Sequence, residues 1–89
     1  QADRAGPTYG LGRARAEQGA HEEAIKLYEQ TATLKGAADW PIAYRVGIAQ
    51  QQLGRHDAAK ASLQRFVSAG KGQKASLDDA RKRLEQLGG

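Results

Sequence analysis

The chain repeats itself. Shifted by 35 positions, Tyr9 falls on Tyr44, Gly12 on Gly47, Gly19 on Gly54, His21 on His56 and Ala24 on Ala59. Matches of Ala and Gly are cheap in a sequence of 89 residues with 11 glycines, but two of its three tyrosines and both histidines fall in register. Conservative pairs fill the gaps: Leu11 over Val46, Glu22 over Asp57, Tyr28 over Leu63 and Ala32 over Val67. A unit this short cannot bury its apolar face alone, so the repeat dictates stacking of like units along one direction.

Within each unit the apolar period is helical. Tyr9, Gly12 and Ala16, then Ala24, Leu27, Tyr28, Thr31 and Leu34, follow spacings of three and four. Val46, Gly47, Gln50 and Leu53, then Ala59, Leu63, Phe66 and Val67, do the same in the second unit. That spacing marks one face of an α-helix, and no stretch sustains the period of two that a strand needs. The punctuation agrees. Pro7 and Pro41 stand where helices start, Gly19 and Gly54 where they end, and Asp39 reads as the cap of the helix that Trp40-Pro41 opens. Ser76-Leu77-Asp78-Asp79 reads as a capping box opening a last helix, whose stripe is Leu77, Ala80, Leu84 and Leu87. The expectation is five helices, over residues 7–18, 22–35, 40–53, 57–69 and 77–87.

A helix pair recurring at this spacing resembles the tetratricopeptide repeat. The resemblance rests on Leu11-Gly12, Gly19, His21, Ala24 and Tyr28, and on Val46-Gly47, Gly54, His56, Ala59 and Leu63. Glycine inside a helix costs about 0.5–1 kcal/mol against alanine, so the pair Gly12 and Gly47 implies a close approach of helices. His stands where the family usually has Tyr at the turn, Lys71 stands at the closing Pro, and Tyr9 and Tyr44 are shifted from the family's early aromatic. The resemblance implies an all-α solenoid fragment of antiparallel helix pairs with a right-handed superhelix. Residues 1–89 would form a single domain, with a first repeat at 5–38, a second at 39–73 and a capping helix at 74–89. Two repeats are few for this class. The expectation is therefore the carboxy-terminal part of a longer solenoid, or self-association through an uncapped amino-terminal end; the absence of Met likewise fits a processed chain or a piece of a longer protein.

Composition excludes more than it selects. There is no Cys, which removes disulfides, thiolate metal sites and a thiol nucleophile. No run approaches the ~18 apolar residues of a membrane span, and no signal peptide is visible. The two histidines lie beside Glu22, Glu23 and Asp57, which serve as first-turn acids favoured by the helix dipole. Turn packing is the expected role of His21 and His56, with no metal, no cofactor and no catalytic motif in view. The chain does not read as an enzyme. The formal net charge is +4, with residues 1–40 at −1 and residues 41–89 at +5. A preference for acidic partners fits that excess. A nucleic-acid accessory role through the basic half is the weaker reading, since Asp78, Asp79 and Glu85 dilute Arg81-Lys82-Arg83. Absence of Cys suits cytoplasm and periplasm alike.

The resemblance implies a function as well: a protein–protein interaction module whose successive first helices line a concave groove for a peptide or helix of a partner. Repeat register assigns Tyr9, Arg13, Ala16 and Glu17 to that groove from the first unit, and Tyr44, Ile48, Gln51 and Gln52 from the second, with Arg45 at its border. Tyr44 and Ile48 lie off the main apolar stripe, so they and Tyr9 are either groove contacts or packing between repeats. Arg13 and Arg45 are suited to carboxylates. The family's clamp for terminal carboxylates uses Asn and Lys at groove positions; Arg13 and Ile48 stand where Asn is wanted, so that clamp is not expected here. The alternative to a groove is a structural segment that stacks on neighbouring repeats or on a second copy.

Overall fold

The computed structural model describes residues 4–88. Among them are five α-helices: α1 (Ala5–Glu17), α2 (His21–Thr31), α3 (Ile42–Gln52), α4 (His56–Ala69) and α5 (Lys74–Gln86). A short 3₁₀ turn spans Ala37–Asp39, and there is no strand among the described residues. Each helix packs mainly on the next in sequence, which gives an elongated body of 41 × 27 × 18 Å. Contact limited to neighbours is the physics of a solenoid.

Gly12 and Gly47 set the spacing within each pair. A Cβ on Gly12 would lie 2.7 Å from the Tyr28 ring, and one on Gly47 would lie 2.8 Å from Leu63 Cγ. Tyr28 and Leu63 are repeat equivalents, and both are fully buried. Such side chains contribute about 1.5–3 kcal/mol each by leaving water, and they reach that depth only because the facing helix carries no side chain. The turns between helices close on Gly19 (φ +84°) and Gly54 (φ +77°), left-handed positions that glycine occupies without strain.

Two apolar clusters result. Tyr9, Ala24 and Tyr28 form the first, joined by Trp40, Ile42 and Val46 from the connection and α3. Tyr44, Leu63, Phe66 and Ala80 form the second, joined by Leu77, Leu84 and Leu87 from α5. The last helix thus seals the second cluster with the stripe its sequence announces.

Several boundaries differ from the sequence reading. The second helix ends at Thr31 rather than residue 35. Thr31 Oγ1 donates to the Leu27 carbonyl at 2.7 Å and Thr33 Oγ1 to that of Gln30 at 2.8 Å, so hydroxyls compete for the carbonyls of the last turn. Asp39 is not a helix cap; it closes the 3₁₀ turn, and Pro41 is the residue flanking α3. Ser76 caps nothing either, because α5 starts three residues earlier than expected, from an extended Gln73. A Cβ on Gly72 would overlap the Phe66 ring, so the chain passes tightly over that ring just before α5 begins. Tyr9 and Tyr44 lie in the core as packing contacts rather than groove contacts, at 5% and 7% exposure, with Trp40 against the first ring and Phe66 against the second.

Candidate functional site

Side chains tie the first helices of successive units together. From α3, Arg45 Nε donates to the Tyr9 hydroxyl of α1 at 3.0 Å. Also from α3, Tyr44 donates to Asp79 Oδ2 of α5 at 2.5 Å, while Arg83 Nη1 of α5 donates to Gln51 Oε1 at 2.9 Å. Side chains of α3 are therefore tied to α1 on one side and to α5 on the other.

A shallow cleft of about 200 Å³ lies along α1 and α3. Arg13, Ala16 and Glu17 from α1 line it together with Arg45, Ile48 and Gln52 from α3. Repeat register alone had assigned all six to one groove. The other three assigned residues lie elsewhere. Tyr9 and Tyr44 are buried, their rings stacked on Trp40 at 4.8 Å and on Phe66 at 5.2 Å between centroids. Gln51 is engaged by Arg83. Conversely, His21 lines the cleft although the sequence marks it only as a turn residue. Its Nδ1 is buried without a hydrogen-bond partner, whereas the equivalent His56 is exposed. No sequence signal separates the two histidines; His21 shares its cleft with α3 residues Arg45, Ile48 and Gln52.

The electrostatics of the surface are set by arginine. The Arg45 guanidinium lies 5.1 Å from the centroid of the Tyr44 ring, and no carboxylate pairs with it among the described residues. One nitrogen is committed to Tyr9, which orients the group. Arg13 meets Glu17 at 3.8 Å, an exposed pair of small energetic weight. Tyr28, behind the cleft, has its pKa raised by burial and by the neighbouring Tyr9. Burial also raises that of Tyr44, and its hydrogen bond to the Asp79 carboxylate adds to the shift. For Asp79 burial acts in the raising direction, but hydrogen bonds from Tyr44 and Arg83, with the charges of Arg83 and Lys82, outweigh it and hold the carboxyl below its ordinary 3.8.

A linear stack of antiparallel helix pairs, tied through its first helices, defines the class: a helix-pair repeat protein. The sequence model of the tetratricopeptide repeat matches residues 9–34 and 43–69, more than half of the chain, and the chain belongs to that family. The matched segments fall on α1–α2 and α3–α4. No curated protein and no solved structure matches the chain. Repeats of this family are generally protein–protein interaction modules and typically non-catalytic scaffolds. No helix among the described residues is long and apolar enough to cross a membrane.

Proposed function

We propose that the chain binds a segment of a partner protein across the first-helix face, with Arg13, Glu17, Arg45, Ile48 and Gln52 as its contacts. The observation that carries this reading is the convergence of those residues on one cleft. Ile48 supplies apolar area, and the two arginines orient polar or charged groups of the partner. The units divide at 5–38, 39–73 and 74–89, with α5 as the cap. The test is capture of partners from an extract of the source cells on immobilised chain, beside a Gln52→Tyr variant. Gln52 is exposed, so a bulky ring there blocks the cleft without entering the core. A partner held by the wild type and lost by an equally helical variant supports the reading; equal capture by both contradicts it.

Leu11 favours a second reading, stacking through the amino-terminal end. Among the described residues it is the exposed large apolar side chain, at 44% exposure, while its repeat equivalent Val46 packs against the Tyr9–Tyr28 cluster of the preceding unit. The first unit thus presents to solvent the face that the second unit presents to a neighbour. Concentration-dependent sedimentation abolished by Leu11→Lys would support self-association through that face.

A further inference from the structure

Around the amino end of α3 lies a larger cleft, of about 550 Å³. Arg13, Arg45, Arg65 and Lys71 line it, against the single carboxylate of Asp39. Outside this cleft carboxylates meet Arg15, Arg55, Lys74, Arg81 and Arg83, while Lys26, Lys35, Lys60 and Lys82 stand apart from one another without such a partner among the described residues. In this cleft Arg45, Arg65 and Lys71 hold none among the described residues, and the weak partner of Arg13, Glu17, lines only the smaller cleft. Like charges gathered along a concave wall focus a positive potential there.

The walls are already in place. Trp40 is stacked on Tyr9, Arg45 is held by the Tyr9 hydroxyl, and the loop carrying Lys71 is pinned where Gly72 crosses Phe66. The indole N–H of Trp40, itself a lining residue, is buried with no acceptor. A buried donor without an acceptor is costly.

We propose that this cleft docks an acidic peptide segment of a partner protein, its carboxylates set against Arg45, Arg65 and Lys71. Cations spread over three elements suit an extended chain better than a single small anion. Carboxylates match the guanidinium fork. Nucleic acid fits less well, because bases need open aromatic faces. Here Tyr9 and Phe66 are 5% and 8% exposed, and Trp40 lies with one face against Tyr9. The proposal rests on the partner-binding reading where Arg13 and Arg45 serve both clefts, and goes beyond it in recruiting α4 and the loop before α5.

The experiment titrates the full chain with a peptide of alternating Asp and Gly and with its Asn-Gly counterpart. Emission from Trp40, the only Trp, is the readout. The acidic peptide is expected to shift that emission and to bind at least about tenfold tighter than the neutral one. Arg65 and Lys71 are both exposed, so Arg65→Glu/Lys71→Glu keeps the fold, checked by circular dichroism, and weakens binding about tenfold. Lys26→Glu/Lys82→Glu makes the same change in net charge outside the cleft, and leaves affinity within about twofold. Equal losses in the two double variants, no preference for the acidic peptide, or a single-stranded oligonucleotide that binds tighter at the same residues would overturn the proposal. Gln52→Tyr separates the two readings. If it releases the captured partner while the acidic peptide still binds, the smaller cleft acts on its own. If Arg65→Glu/Lys71→Glu leaves peptide binding intact, the acidic docking site falls while the first-helix reading stands.

Discussion

Tyr44 of α3 and Asp79 of α5 are joined by a 2.5 Å hydrogen bond between residues 35 apart in sequence. The same carboxylate oxygen accepts from Arg83 Nε of its own helix at 2.7 Å, so one acidic group, held in place within α5, fastens that helix to α3. The ring of Tyr44 meanwhile stacks on Phe66. Removing only the hydroxyl isolates the hydrogen bond from the stacking. Tyr44→Phe is expected to cost about 1 kcal/mol, which for a domain this small lowers the melting midpoint by about 4–8 °C. Thermal melts followed by circular dichroism measure it; an unchanged midpoint would show that α5 is held by its leucines and the Arg83–Gln51 bond without this one.

The same carboxylate makes stability depend on acid. Its folded pKa lies below the ordinary 3.8, because hydrogen bonds and cationic neighbours favour the charged form over the opposing effect of burial. The stabilisation is therefore fully present above the unfolded value and drains away as pH falls through the folded one. Urea midpoints measured from neutral pH downward are expected to fall steeply below pH ~4 in the wild type and less steeply in Asp79→Asn. Parallel curves would remove Asp79 as the source.

The glycines of the first helix make opposite predictions. Gly12 faces Tyr28 and Gly47 faces Leu63 at distances no real Cβ tolerates, while Gly10 has nothing within 4 Å. Gly12→Ala and Gly47→Ala are each expected to destabilise by about 1–3 kcal/mol through overpacking. Gly10→Ala, on the exposed side of α1, is expected to stabilise by about 0.5–1 kcal/mol through helix propensity. Denaturant unfolding of the three variants decides the matter, and a common sign for all three would refute it.

Much of this fold is legible in the sequence, and the reasons are local. The register of Gly12 with Gly47 and of Tyr28 with Leu63 encodes a contact, so reading one pair predicts the other. Gly19 and Gly54 encode turns because their conformation suits few other residues. What the sequence hides depends on tertiary contacts. The roles of Tyr9 and Tyr44 stay open until Trp40 and Phe66 come up against them. The start of α5 follows the passage of Gly72 over Phe66 rather than the Ser76 hydroxyl. Of the candidate site, the α1 and α3 contributions are legible from register, whereas Arg65 and Lys71 join Arg45 only through the return of α4 toward the start of α3.

Repeat equivalence also separates Leu11 from Val46. Leu11 is exposed and Val46 packs on the first cluster. Leu11→Lys is expected to change monomer stability by no more than about 0.5 kcal/mol, whereas Val46→Lys costs about 2 kcal/mol or more by burying a charge against the Tyr9–Tyr28 cluster. Chemical denaturation at low protein concentration compares them. Equal costs would mean that the two faces are alike and that the amino-terminal end is already covered.

Partners are proposed to meet the chain on its first-helix face. The direct measurement is backbone amide shift mapping of the labelled chain as a captured partner segment is added. Changes are expected to concentrate at Arg13, Glu17, Arg45, Ile48 and Gln52, among the residues lining the smaller cleft. Changes confined to the outer surfaces of α2 and α4, with those residues unmoved, would contradict it.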